Sequence, residues 1–267
     1  MVLEKPKVGI FGLTSCYGCQ LEIINLEEKI LNLLDFIDLK YWRLALESPA
    51  DPTDLDIAII EGSASNNEEI EELKLIRNHS KTVIAIGACA NLGGVQGMRG
   101  LMDENRVKSA VYSDLSGVRA IPVKAVHEII KVDFQVRGCP INPKEFLSTV
   151  LNLISGRQPE VWNMPVCVEC KIRGNECFFE RSKPERFYQT NVCLGPISEA
   201  GCGARCPSNG MPCDGCRGWT TDPFIMQLIK EARLRNKSPG DIAILARRYS
   251  GGTTSQDEMM KKGMNVL

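Results

Sequence analysis

The sequence predicts an α/β protein in which a doubly wound parallel sheet is followed by a small, irregular cysteine-rich region and a helical C-terminal tail. Strand-like apolar runs alternate with helix-like segments over about the first 155 residues, an order typical of parallel sheets covered by helices. Eight cysteines then fall within the fifty residues from Cys167 to Cys216. Beyond Trp219 the apolar residues return to helical spacing.

Apolar runs and helical spacings give the order of the elements. The predicted strands are residues 7–13, 36–42, 56–61, 82–87, 118–123 and 131–137. The predicted helices between and after them are residues 20–34, 66–78, 143–155, 223–236 and 238–249. The last of these has Ser238 as its N-cap and Pro239 at its first helical position. The polar residues 250–267 are predicted to be mobile.

A change of composition near Gly156 divides the chain. We expect a sheet domain over residues 1–158, a cysteine-rich domain over 159–220 and a helical, polar tail over 221–267. The middle part has many Gly and Pro residues and little apolar periodicity. Because such a segment buries little apolar surface, we expect its cysteines, or whatever they bind, to hold it together.

Charge and hydropathy exclude two classes of protein. The 32 Lys and Arg residues balance 33 Asp and Glu residues, which gives no basic patch for nucleic acid and no polybasic membrane anchor. No apolar run approaches the ~20 residues that a membrane span needs. The first residues, Met-Val-Leu-Glu-Lys-Pro, resemble no secretory signal. We therefore expect a soluble, cytoplasmic protein that neither spans a membrane nor binds nucleic acid.

Twelve cysteines are the main chemical feature of the chain. In a reducing cytosol cysteines seldom form structural disulfides, so their number favours metal binding. The intracellular proteins of heat-loving organisms are an exception, since they can be rich in disulfides.

Four of the cysteines follow predicted strands. Cys16 and Cys19 lie in the stretch GLTSCYGCQLEI after the first strand, where α/β proteins usually hold a phosphate at a helix start. Cys89 and Cys139 each come two residues after a later strand. Parallel strands place their carboxyl ends at one edge of the sheet, which is also where ligands bind. The topology therefore predicts a site with four thiolates, and nearby glycines would let the backbone approach a bulky inorganic cluster.

The other eight cysteines divide into two sets by spacing. One set is Cys167-x2-Cys170-x6-Cys177-x15-Cys193, and the other is Cys202-x3-Cys206-x6-Cys213-x2-Cys216. The two CxxC pairs and the Cys206-Pro207 dipeptide are typical of four-iron, four-sulfur sites. Structural zinc also takes four thiolates, so two zinc sites are the alternative. Zinc ribbons usually pair two CxxC motifs across a modest loop, and the spacing here favours iron–sulfur clusters.

The chain lacks the residues of most catalytic sites. It has only two histidines, His79 and His127, and neither a Gly-x-Gly-x-x-Gly fingerprint nor a phosphate loop. Several clusters without acid–base or substrate-binding residues are typical of an electron conduit whose chemistry takes place on a partner. We therefore predict no catalytic residue in this chain.

Six stretches, taken together and in order over about residues 5–220, resemble the small subunit of nickel–iron hydrogenases. They are LTSCYGCQLE, DIAIIEGSAS, AIGACANLGGVQG, VRGCPINPKEF, PVCVEC and CLGPISEAGCGARCPSNGMPCDGC. The chain is most similar to the cytosolic group 3 enzymes, such as the sulfhydrogenase delta subunit and the small subunit of methyl-viologen-reducing hydrogenase.

The resemblance implies a flavodoxin-like sheet domain and three 4Fe-4S clusters. The proximal set of ligands would be Cys16, Cys19, Cys89 and Cys139. The distal set would be Cys167, Cys170, Cys177 and Cys193. The medial set would be Cys202, Cys206, Cys213 and Cys216. Several relatives have three cysteines in the medial set and a three-iron cluster, whereas Cys206 supplies a fourth and predicts four irons.

The resemblance also implies the partners and the direction of the relay. A nickel–iron site in a partner large subunit would exchange electrons with the proximal, then the medial, then the distal set. A flavin or iron–sulfur acceptor subunit would follow, serving NAD(P), sulfur or a heterodisulfide reductase. Glu61, at a strand end, is a candidate for a polar contact near the proximal set and equally for a partner of backbone amides.

Three alternatives stay open at this point. A zinc-stapled scaffold or interaction protein would use the same cysteines without redox chemistry. A small subunit of a complex I-like electron-transfer assembly would carry adjacent cysteines, and this chain has no Cys-Cys pair. A flavodoxin-like FMN protein fits the sheet, but Cys16 and Cys19 occupy the place of its phosphate.

Overall fold

A five-stranded parallel sheet forms the centre of the computed structural model, which describes residues 4–49, 52–180, 192–221, 223–234 and 236–250. The strands are β1 (Lys7–Gly12), β2 (Asp38–Trp42), β3 (Leu55–Glu61), β4 (Ser80–Ile86) and β5 (Phe134–Val136). Their order is β2-β1-β3-β4-β5 and every neighbouring pair is parallel. This is the flavodoxin-like order, so the predicted α/β class is confirmed.

Helices cover both faces of the sheet. In the sheet region they are α1 (Gly18–Ile24), α2 (Glu28–Leu34), α3 (Asn67–Asn78), α4 (Gly87–Leu92), α5 (Glu104–Val111) and α6 (Pro143–Ile154). Short 3-10 helices cover Val95–Leu101 and Val126–Glu128. One apolar core joins α1, α2 and α6 to the sheet, and a second joins α3 and α4 to its other face. The two cores are those of a doubly wound sheet.

Local sequence accounts for where α3 and α6 begin. The Asn66 side chain accepts a hydrogen bond from the backbone N–H of Glu69 at 2.8 Å, which caps α3. The Asn142 side chain caps α6 in the same way, and Pro143 occupies its first turn. Both helices start as their sequences predict.

Three predicted elements were wrong, two in extent and one in existence. The helix predicted over 20–34 is broken into α1 and α2, because Glu27 adopts a positive φ of 53° that a helix cannot continue. The strand predicted over 118–123 does not form, and Pro122 lacks the N–H that a sheet ladder requires. The strand predicted over 131–137 is reduced to β5.

The cysteine-rich region contains α7 (Val166–Ile172) and α8 (Arg205–Ser208), and the tail contains α9 (Ile225–Arg233) and α10 (Pro239–Ala246). The two parts share one apolar core, made of Val192, Leu194, Ile197, Trp219, Leu228, Ile229, Ala232, Ile242 and Ala246. The expectation that the cysteines, or whatever they bind, hold this region together was therefore incomplete, since the tail helices add apolar surface to it.

Two further predictions concern the tail and the membrane. Residues 251–267, most of the segment predicted to be mobile, lie outside the described residues. The helices that the structure describes are all too short or too polar to cross a bilayer.

Candidate functional site

The turn after β1 brings Cys16 and Cys19 to the carboxyl edge of the sheet. Tyr17 between them adopts the left-handed conformation, with φ 59°, and forms the N-cap of α1. Such a conformation is uncommon for a residue other than glycine. Cys16 is exposed, whereas Cys19 is buried in the first turn of the helix. The backbone N–H of Cys19 donates to the carboxylate of Glu61 at 3.0 Å, which ties this turn to the end of β3.

Cys89 reaches the same edge from the first turn of α4, at the end of β4. Two glycines leave room for the thiols there. A Cβ on Gly87 would lie 2.5 Å from the Cys19 sulfur, and a Cβ on Gly94 would lie 2.7 Å from the Cys89 sulfur. Both glycines have positive φ, of 82° and 67°. The backbone therefore passes close to the sulfurs only because these positions have no side chain.

Cys139 completes the proximal set after β5. Its preceding residue is tied to the start of α4, because the backbone N–H of Ala88 donates to the carbonyl of Gly138 at 2.7 Å. Burial raises the pKa of the Cys139 thiol to about 12, and the neighbouring sulfurs of Cys216, Cys89 and Cys16 add to this effect. The structure thus brings together the four cysteines that the strand-end argument selected.

The distal set is assembled around α7. Burial raises the pKa of the Cys167 thiol to about 12, and the sulfurs of Cys193, Cys170 and Cys177 raise it further. A Cβ on Gly195 would lie 3.2 Å from the Cys167 sulfur and 3.5 Å from the Cys193 sulfur. These four cysteines are therefore neighbours, although they span residues 167–193.

The medial set lines a cavity of about 360 Å³, whose wall also includes Cys139. Cys202, Cys206, Cys213 and Cys216 all contribute to this wall. The cavity can accommodate a polyatomic inorganic group, whereas a tetrahedral zinc ion would contact its sulfurs directly at ~2.3 Å. Within the described ranges, no three His, Cys, Asp or Glu side chains converge closely enough for a single metal ion. Four thiols around such a space fit an iron–sulfur cluster, and the same donor set also fits zinc.

Two cysteines of the medial set link it to the other sets. Burial raises the pKa of the Cys216 thiol to about 11, while a hydrogen bond from the backbone of Cys139 acts in the opposite direction. On the far side, the backbone N–H of Cys213 donates to the Cys193 sulfur at 3.3 Å. The medial set therefore contacts a member of each of the other two sets.

The raised pKa values limit what these thiols do on their own. Burial also raises the pKa of Cys19 and of Cys213 well above the usual range for a thiol. A protonated, buried thiol is a poor nucleophile. A bound metal ion would displace the proton, and its positive charge would stabilise the thiolate that burial disfavours. Buried thiols of this kind fit the role of metal ligands.

Sequence reasoning missed two charged residues beside these sets. Glu169, inside the distal CxxC pair, accepts backbone N–H groups of Gly201 and Gly203, each at 3.0 Å, next to Cys202. Arg217 follows Cys216 and is almost fully buried. The only signal in the sequence was a charged residue next to a cysteine. The two histidines lie elsewhere: His79 ends α3, and His127 is exposed in a 3-10 helix.

Comparison with known proteins agrees with this geometry. The family model described as NADH ubiquinone oxidoreductase, 20 Kd subunit, matches residues 16–153. The chain is 34% identical to the sulfhydrogenase 2 subunit delta of Pyrococcus furiosus, over 84% of this chain and 92% of that protein. It is 27% identical to an iron-sulfur subunit of the F420-non-reducing hydrogenase of Archaeoglobus profundus, over 79% of this chain and 82% of that protein.

Solved structures share the fold. A chain of an NAD⁺-reducing [NiFe]-hydrogenase matches with a TM-score of 0.52 and 24% identity, over 59% of this chain and 96% of that one. A chain of the Ni-Fe-Se hydrogenase from Desulfomicrobium baculatum matches with a TM-score of 0.51 and 19% identity, over 80% of this chain and 94% of that one. The family match covers half of the chain, and the relatives that span most of it are hydrogenase subunits. The chain therefore belongs to the NADH ubiquinone oxidoreductase 20 kDa subunit family and, within it, to the electron-transferring iron–sulfur small subunits of nickel–iron hydrogenases.

Proposed function

We propose that the chain carries three four-iron, four-sulfur clusters, held by the proximal, medial and distal sets, and relays electrons through them in that order. The observation that carries the proposal is the pair of contacts between sets. The Cys139 backbone lies against the Cys216 sulfur, and the Cys213 backbone against the Cys193 sulfur. These contacts support an uninterrupted path from the edge of the sheet to α7.

The cysteines of each set would bind the cluster and shield it from water. Four thiolates per cluster complete the usual coordination, and such clusters supply reversible one-electron transfer. Cys206 gives the medial set its fourth ligand, which supports four irons there. Burial of Cys19, Cys193 and Cys213 keeps water away from the sulfurs, and solvent exposure is one of the factors that set the potential of a cluster.

Glu61 would hold the proximal set in place. Its carboxylate is 1% exposed, and it accepts the backbone N–H of Cys19. This contact supports both roles that the sequence allowed for Glu61, a polar contact near the proximal set and a partner for a backbone amide.

The partners follow from the relatives. The nickel–iron site would lie in a large subunit next to the proximal set. A flavin or iron–sulfur subunit next to the distal set would pass electrons to NAD(P), sulfur or a heterodisulfide reductase. Sulfhydrogenase and NAD-reducing hydrogenase subunits are both among the relatives. The use of twelve cysteines as ligands instead of disulfide partners suits a reducing compartment, and we infer a cytoplasmic location.

Anaerobic purification of the full chain with its accompanying subunits tests the proposal. We expect a brown protein with about twelve irons per chain, about four for each of three clusters, and three reducible EPR signals. A colourless protein containing zinc would instead establish the scaffold alternative. The subunits that co-purify would identify the acceptor.

A further inference from the structure

Arg217 is the largest fully buried side chain among the described residues, with 2% exposure. Its guanidinium donates to both carboxylate oxygens of Glu145, Nη1 at 2.7 Å and Nη2 at 2.8 Å. Nη1 also donates to the carbonyl of Arg137 at 2.5 Å, and Nε donates to the carbonyl of Glu199 at 3.1 Å. Every donor nitrogen of the side chain is therefore used.

The partners of Arg217 lie on both sides of a junction. Arg137 precedes the proximal ligand Cys139 by two residues, and Glu145 lies in the first turn of α6. Glu199 and Arg217 itself belong to the cysteine-rich region. A second link crosses the same junction, because Arg137 Nη1 lies 2.8 Å from the Glu199 carboxylate. One buried fork thus joins the segment that carries Cys139 to the segment that carries Cys216.

The network is balanced in charge, with two arginines and two glutamates. A buried ion pair contributes little net stability compared with apolar packing, but it defines geometry strictly, because each unpaired charge would be costly. The bidentate geometry with Glu145 is specific to a guanidinium, since a lysine ammonium cannot make the same fork. The network therefore fixes the relative position of the two segments that it joins.

We propose that Arg217 is a positioning residue that fixes the separation of Cys139 from Cys216, and so the separation of the proximal and medial groups they would hold. The inference rests on the proposed function. Electron tunnelling falls steeply with distance, so the spacing of adjacent groups governs the relay. No contact of Arg217 with an electron donor or acceptor is required.

The test is the magnetic interaction between the two groups in Arg217→Lys. The full chain with its accompanying subunits would be purified anaerobically, reduced with dithionite and examined by EPR. Lysine keeps the charge but loses the fork, so we expect the spin–spin splitting between the proximal and medial signals to change while the iron content stays at the native level. Arg157→Lys, at an exposed arginine between the two regions, is the matched control and should keep the native splitting.

Each outcome of this experiment either supports or overturns a proposal. A native splitting in Arg217→Lys at full iron content would overturn the inference. So would proximal and medial signals that show no interaction in the unmodified protein. If Arg217→Lys loses iron, Glu145→Gln becomes the test. It leaves one side-chain oxygen for Arg217 and removes the other half of the fork, and an unchanged splitting at full iron content there would also overturn the inference. Absence of all cluster signals from the native protein would instead defeat the proposed function.

Discussion

The carboxylate of Glu61 accepts a hydrogen bond from the backbone N–H of Cys19 at 3.0 Å and so joins the end of β3 to the start of α1. Its second oxygen, Oε2, is buried without a hydrogen-bond partner in the part of the chain described. After burial, which is the main cause, the charge of Glu61 contributes to the raised pKa of Cys19 and Cys89. The Glu61 carboxylate therefore lies beside the proximal set.

Neutralising this charge should raise the reduction potential of the proximal cluster. Glu61→Gln retains an oxygen that can accept the Cys19 N–H, but it removes the charge that opposes an added electron. We expect the reduced state of the cluster to be stabilised by about 1–4 kcal/mol relative to the oxidised state. This is the range of interaction energies for two close unit charges, from bulk water to a protein surface. An EPR-monitored redox titration measures the shift.

The matched control is Glu68→Gln, because the Glu68 side chain is 64% exposed and its charge is screened by water. Its potentials should equal those of the native protein. A proximal potential that stays unchanged in Glu61→Gln would show that this carboxylate does not act on the cluster.

Adding one methyl group at Gly87 should prevent the proximal cluster from assembling. The new Cβ would fall 2.5 Å from the Cys19 sulfur, a contact that backbone or ligand must move to relieve. The positive φ of 82° adds strain of about 1–2 kcal/mol for any residue with a Cβ. We expect Gly87→Ala to lose about four irons per chain and one EPR signal.

Gly156→Ala separates the backbone strain at a positive φ from the contact with a ligand sulfur. Gly156 also has a positive φ, 69°, but nothing lies within 4 Å of its added Cβ. This variant should be slightly less stable and fully loaded with iron. Equal iron contents in the two variants would mean that the space beside Cys19 is not needed for assembly.

The proximal set could be predicted from sequence because sheet topology fixes where strand ends meet. Because the strands before Cys16, Cys89 and Cys139 belong to one parallel sheet, their common edge follows without any tertiary contact. The partition of the later cysteines depended on spacing and on family resemblance, and it stays a prediction. No periodic element connects those residues, so local pattern carried no information on their positions.

The charged residues at the junction could not be predicted, for a physical reason. Arg217 and Glu145 are 72 positions apart, and Glu169 reaches the N–H of Gly201 from 32 positions away. Apart from Glu145 in α6, these residues lie in loops or in a short helix, whose paths follow no sequence periodicity. A buried arginine and an exposed one look alike in sequence, so only the fold reveals that Arg217 is fully paired.

Removing the thiol of Cys206 should convert the medial cluster to a three-iron form. Cys206 is exposed in the first turn of α8 and lines the medial cavity, so its replacement leaves the core unchanged. In Cys206→Ala we expect about eleven irons per chain in place of about twelve, a new EPR signal in the oxidised state and a raised medial potential. Iron analysis and EPR measure these changes.

Ser208→Ala serves as the control for Cys206→Ala. Ser208 is exposed in the same short helix, and its hydroxyl accepts only a surface hydrogen bond from Asn175 at 3.0 Å. Its iron content and signals should be native. Native signals and full iron in Cys206→Ala would remove Cys206 from the ligand set.

Truncating one leucine of the tail should destabilise the cysteine-rich region. Leu228 in α9 is 1% exposed and packs in the core that also contains Val192 and Trp219. We expect Leu228→Ala to cost about 2–5 kcal/mol, the usual range for a cavity left by a buried leucine. Guanidinium denaturation under anaerobic conditions, followed by tryptophan fluorescence, should show an earlier midpoint. Leu234→Ala, at a leucine that is 72% exposed just after α9, should leave the midpoint unchanged. Equal midpoints for the two variants would mean that the tail helices do not support the region that carries the medial and distal sets.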